Sequence, residues 1–129
     1  MGAIRPNPDQ FKALASAAAK DGGPVVMLNL LKFKQGGGAR EYGQYGDAAR
    51  GMVERLGGRV LYIGRCDQVL IGDAAEGWDA IAVVEYPSRQ AFIDMVSQSD
   101  YQQAHEHREA GLERTVLMAT TPMSAAAGE

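Results

Sequence analysis

One amide stands where a strand should be apolar. The segment Val25 to Phe33 reads VVMLNLLKF, and Asn29 sits at its centre. A buried amide costs a few kcal/mol unless it finds a hydrogen-bond partner. Asn29 is therefore a candidate catalytic amide, placed to orient a ligand carbonyl or phenol. The other reading is a structural amide bonded to a neighbouring strand or subunit. A second constellation lies further on. Tyr101, His105 and Arg108 follow one another at spacings of four and three, which puts them on one face of a helix. His105 is a candidate general base because an imidazole titrates near neutrality, and Tyr101 stands beside it. Arg108 would contact the ligand. The bland alternative is an exposed helix with a solvated charge pattern. Arg65 is a candidate for holding a carboxylate at a pocket rim. Trp78, sharing a strand face with Tyr86, and Tyr42 complete the expected ligand contacts.

Other chemistries find little support. His105 and His107 are two residues apart and diverge on a helix, so no shared metal is expected. Asp73 and Glu76 lack calcium-loop spacing. Gly36 to Gly38 are not followed by Gly-Lys-Ser/Thr, so no phosphate loop is expected; they read as a mobile lid over a pocket mouth. Cys66, the lone cysteine, has no activating partner and reads as a small buried residue. No cofactor is implied.

These side chains must be held by regular elements. Asn7-Pro8 with Gln10 reads as a capped helix start, and Asp21-Gly22-Gly23-Pro24 as its end. The near-continuous apolar run from Val25 suits a strand covered on both faces. Tyr42, Tyr45, Ala49, Met52 and Leu56 step by threes and fours, a helix closed by Gly57-Gly58. Gly43, Gly46 and Gly51 weaken that helix and are candidates for close packing. Arg59 to Cys66 reads as a strand, with Gln68 to Ile71 as a possible extension. Gly72 to Gly77 is a polar turn, and Trp78 to Tyr86 is the hairpin's second strand. Pro87-Ser88 opens a helix. Ser99 with Gln102 gives a capping-box signature for another, ending at Gly111. Thr115 to Thr121 is the last strand.

After the leading helix the order is β-α-β-β-α-β, an α+β fold of ferredoxin-like type with a four-stranded antiparallel sheet. The domain organisation predicted is a helical extension over 1–23, one domain over 24–122 and a flexible tail over 123–129. Helices in this order cover one sheet face. Yet Met27, Leu31 and Phe33 lie on one face of the first strand, and Val26, Leu28 and Leu30 on the other. Apolar burial contributes about 25 cal/mol per Å², so a wet sheet face would forfeit many kcal/mol. A second copy of the chain, a homodimer through the open sheet face, is the simplest cover.

The bounds from composition agree. The chain has 129 residues, 46% hydrophobic and 22% charged, with a net charge of −3. That suits one globular domain. No basic block exists, so nucleic acid is not an expected partner. The longest apolar run is too short to span a bilayer, no signal peptide is evident, and no membrane partner is expected. A single cysteine fits the reducing cytoplasm.

The segments PVVMLNLLKFK, Tyr42 with Tyr45, GGRVLYIGRCDQVLIG, VVEYPSRQAFIDM and SDYQQAHEHRE together resemble the domain of unknown function 1330 family, from about Pro24 to Pro122. The passage from Glu-aromatic-Pro-Ser to Ser-x-Tyr-Gln is its most specific part. His105 departs from the pattern, at a position that is often small or aliphatic. The family is similar to the dimeric α+β barrel superfamily. That superfamily holds cofactor-free monooxygenases, muconolactone isomerase-like enzymes, haem-degrading enzymes and proteins without known activity. The resemblance implies the fold and a dimer. It is compatible with a cofactor-independent enzyme acting on a small, largely apolar molecule, with a non-enzymatic binder, or with a structural dimer.

Overall fold

The computed structural model describes residues 5–73 and 77–123. Residues 124–129 of the tail and 74–76 of the polar turn lie outside the described residues. The elements run α1 (Pro8–Lys20), β1 (Val25–Phe33), α2 (Gly38–Arg55), β2 (Arg59–Arg65), β3 (Ala80–Tyr86), α3 (Arg89–Val96), α4 (Ser99–Gly111) and β4 (Leu112–Thr120). The strands form one antiparallel sheet in the order β2-β3-β1-β4. This is the ferredoxin-like α+β arrangement, with β1 and β3 at its centre.

Local chemistry explains the element ends. Asn7 accepts from the Gln10 amide at 2.8 Å, and the Gln10 side chain accepts from the Asn7 amide at 3.0 Å, a complete capping box. Helix α2 ends at Arg55, and Gly57 just beyond it takes a φ of 89° that is open to glycine. The Gly57 and Gly58 amides there close back on the Glu54 and Val53 carbonyls. Ser88 caps α3 by accepting from the Ala91 amide.

Several boundaries differ from the sequence reading. Strand β3 starts at Ala80, not Trp78; just before it the Asp79 backbone bonds Leu31 and Cys66, and its carboxylate accepts the Phe33 amide at 2.9 Å. Gln68 to Ile71 is not a strand; the chain leaves the sheet after the Cys66 amide meets the Asp79 carbonyl. Helix α4 runs directly into β4 at Leu112, three residues before Thr115. Ser99 is the first helical residue and not a cap. The N-cap is Gln98, and the Gln102 side chain donates instead to the Val96 carbonyl. Cys66 is exposed on the outgoing connection. Gly38 is no lid: it opens α2 and is buried against the Gly111 carbonyl. Gly43 and Gly46 face open space, so close packing does not explain them.

The register sorts the two sheet faces. Val25, Met27 and Leu31 of β1, with Ala82 and Tyr86 of β3, are buried under the helices. The core partners of Val25, Met27 and Tyr86 are Val53, Met95 and Tyr101, while Leu31 and Ala82 pack with Leu112. The opposite face carries Val26, Leu28, Leu30, Ile81 and Val83, with Tyr62, Val116 and Met118 exposed.

Candidate functional site between the sheet and the helices

Helices α2 and α4 touch through backbone. A methyl on Gly111 would sit 2.5 Å from the Gly38 carbonyl oxygen and 2.8 Å from the Tyr42 nitrogen. Only glycine permits that approach. It brings the inner stripe of α2 (Tyr42, Tyr45, Ala49, Val53) against that of α4 (Tyr101, Ala104, Arg108). The result is an aromatic wall. Phe33, Tyr42, Tyr45 and Tyr101 follow one another with ring centroids 5.6, 5.3 and 6.0 Å apart, and His105 stands 5.8 Å beyond Tyr101. The Tyr45 and Tyr101 hydroxyls share a hydrogen bond of 2.9 Å. Arg108 lies 5.8 Å from the Tyr45 ring centroid and donates to the Tyr42 and Tyr45 oxygens.

Between this wall and the sheet is a cavity of about 1390 Å³. Its floor is the helix-facing side of the sheet, including Met27, Asn29, Val84 and Leu117. Phe11 and Leu14 of α1 and Phe92 and Val96 of α3 extend the lining. Asn29 is buried in the floor and donates one amide hydrogen to the Ala82 carbonyl at 3.2 Å. That bond secures the amide to the neighbouring strand and leaves its other polar valences for the cavity.

Burial dominates the electrostatics. It raises the pKa values of Tyr42, Tyr45, Tyr86 and Tyr101, so all four phenols are neutral near pH 7. His105 is held below the ordinary imidazole value, first by burial and then by the Arg108 charge. Its Nε2 is 3.6 Å from Glu109, while its Nδ1 is buried with no hydrogen-bond partner. Glu109 also pairs with Arg5, which holds its carboxyl below the usual range.

The fold thus brings Asn29, Tyr42, Tyr101, His105 and Arg108 to one cavity. Tyr101 and Arg108 are buried, so this face of α4 is packed and not solvated. Two candidates lie elsewhere. Arg65 is exposed and pairs with Asp67 at 3.0 Å. Trp78 lies outside the cavity at the sheet's end, under the Arg114 guanidinium 4.2 Å from its ring centroid. It has no strand face, because β3 begins only at Ala80. His107 turns to Glu41 at 2.9 Å, away from His105. Tyr45 is the residue that sequence reasoning left off the site. Its spacing of three from Tyr42 on an apolar stripe was the available signal. Arg5 gave none, because its partner Glu109 is 104 positions away.

A family model described as "Domain of unknown function (DUF1330)" matches residues 35–121. Comparison with curated proteins gives no match. Among solved structures, a protein of unknown function from Rhodopseudomonas palustris, RPA0582, is similar at 33% identity. The match covers 96% of this chain and 99% of that one, with a TM-score of 0.87. A dimeric ferredoxin-like protein of unknown function from Jannaschia sp. CCS1 is similar at 12% identity, covering 78% and 100%, with a TM-score of 0.60. The hydroxynitrile lyase of Passiflora edulis is similar at 12% identity, covering 79% and 100%, with a TM-score of 0.60. The last two likenesses concern the fold alone.

Proposed function

The chain belongs to the DUF1330 family, and we propose that it binds a small, largely apolar molecule between its sheet and the α2–α4 aromatic wall. One observation carries this reading: Asn29, Tyr42, Tyr101, His105 and Arg108 converge on a single cavity whose lining is otherwise mostly apolar. Small-molecule sites commonly have that form, an apolar hollow with a few placed polar groups. The apolar lining supplies affinity. The amide, phenols and guanidinium supply orientation.

His105 favours a second step, catalysis on that molecule without a cofactor. Its depressed pKa keeps it neutral near pH 7, ready to accept a proton. Nδ1 is the nitrogen left to take it, and Glu109 beside Nε2 would stabilise the imidazolium. Asn29 and Tyr101 would orient the reacting carbonyl or phenol. Monooxygenase- and isomerase-like proton transfers are chemistry of this kind.

The working unit in this reading is a homodimer joined through the open sheet face. The apolar residues there, with Tyr62, Val116 and Met118 exposed, support it. So does the dimeric state of the Jannaschia protein of like fold.

A thermal-shift panel of small aliphatic and aromatic molecules tests the binding. A ligand at a hundred times its Kd stabilises by about 2.7 kcal/mol, a readily measured rise. Stabilisation by no member of the panel would overturn the reading. Turnover lost in His105→Gln with binding retained would support the catalytic step. Unchanged turnover in that variant would remove His105 from it.

A further inference from the structure

We propose that the molecule this cavity takes is an anionic amphiphile, a monocarboxylic acid whose carboxylate meets Arg108 and whose apolar body lies along the sheet floor. This rests on the small-molecule reading above and names its ligand class.

The charges in the cavity wall come first. Among the described residues four arginines line it, Arg5, Arg50, Arg89 and Arg108, against one carboxylate, Asp47. Arg5 is exposed and holds Glu109, while Arg89, its side chain mostly buried, holds Asp21. Arg108 is different: it is only 5% exposed and belongs to the inner stripe of α4. Its guanidinium puts a permanent positive charge into the deepest part of the wall. The field reaches across that wall, for it is one of the causes that keep His105 neutral.

The neighbouring groups have the polarity that a carboxylate needs. An ionised carboxylate only accepts hydrogen bonds. The Tyr42 oxygen accepts from Arg108, so its hydroxyl hydrogen remains to be donated. Tyr45 and Tyr101 share one bond between two hydroxyls, which leaves one hydrogen of that pair unused. Asn29 has a second amide hydrogen after its bond to Ala82. Burial keeps the phenols neutral, so none of them repels an anion. Most of the remaining lining, Met27, Val84, Phe92 and Leu117 among it, is apolar and suits a hydrocarbon or aryl body. One deep guanidinium in such surroundings matches one negative charge. A dianion would bring a second charge, and the other mostly buried guanidinium of the wall, Arg89, is already engaged by Asp21.

The test uses the full chain and two probes of equal apolar body, octanoate and 1-octanol, titrated calorimetrically near neutral pH. Charge-assisted hydrogen bonds favour the acid by roughly tenfold or more in Kd. Arg108→Met is expected to remove that preference and to keep 1-octanol binding, which also shows that the variant folds. Equal affinity for the two probes in the wild-type chain would overturn the anion proposal while leaving the apolar cavity reading intact. Binding of neither probe would overturn both. Should Arg108→Met not fold, the wild-type comparison alone decides. A wild-type preference for octanoate that survives in folded Arg108→Met would refute the role of Arg108.

Discussion

Replacing Gly111 by alanine sets two opposing effects against each other. Alanine is the better helix former by about 1 kcal/mol, so propensity alone predicts a more stable protein. Geometry predicts the reverse. The new methyl would lie 2.5 Å from the Gly38 carbonyl oxygen and 2.8 Å from the Tyr42 nitrogen, both backbone atoms that no rotamer change can clear. Relief to roughly 3.5 Å requires α2 and α4 to part by roughly 1 Å along their closest contact. Overpacking of this sort costs about 1–3 kcal/mol and commonly more where backbone must move. The net effect is a loss of up to about 2 kcal/mol once the propensity gain of about 1 kcal/mol is subtracted. With a urea slope of about 1–3 kcal/mol per molar, a loss of about 2 kcal/mol lowers the unfolding midpoint by roughly 0.7–2 M at fixed protein concentration. Gly43→Ala is the matched control. It lies in the interior of α2, where an added methyl meets nothing within 4 Å. Its midpoint is expected to rise, by about 0.5–1 kcal/mol in stability. A Gly111→Ala midpoint at or above wild type would refute the backbone-contact account of the aromatic wall.

Asn7→Ala removes the acceptor of the capping box and is expected to cost α1 about 1 kcal/mol, read as faster amide exchange confined to that helix. The depressed pKa of His105 makes stability depend on pH. The unfolded chain binds the proton more readily than the folded one, so stability is fullest above the ordinary value of 6.5 and falls as pH drops through it toward the folded pKa. Urea midpoints on either side of that value are expected to show the loss in wild type and a smaller one in His105→Gln; equal slopes would contradict the burial argument. Glu109, depressed by Arg5, loses its contribution in the same direction at lower pH. On the open sheet face, Met118→Asp is expected to convert a dimer to a monomer by light scattering, because it puts a charge among Leu28, Val83 and their neighbours.

The fold was legible where one local signal dominated. The Asn7–Gln10 pair, the apolar run through Asn29 and the Gly57-Gly58 stop each specified an element without help from distant residues. Boundaries set by tertiary contacts were not legible. Nothing near Trp78 announces that the Asp79 carboxylate will take the Phe33 amide just before β3 begins. Ser99 has the composition of a cap, yet Gln98 takes the position and Gln102 turns to Val96. The site divides in the same way. Tyr101, His105 and Arg108 share a face by helical spacing, and their gathering with Asn29 follows from the βαββαβ order. What brings Tyr42 and Tyr45 to that same cavity is the contact of Gly38 with Gly111, two glycines 73 positions apart whose composition signals only loop and helix end.

The central claim is that the space between sheet and helices holds a ligand. A crystal structure of the protein purified from its own host tests it most directly. The account predicts density beside Asn29, with an anionic end against Arg108. A cavity filled only by ordered water, or closed by collapse of α1 onto the sheet, would contradict it.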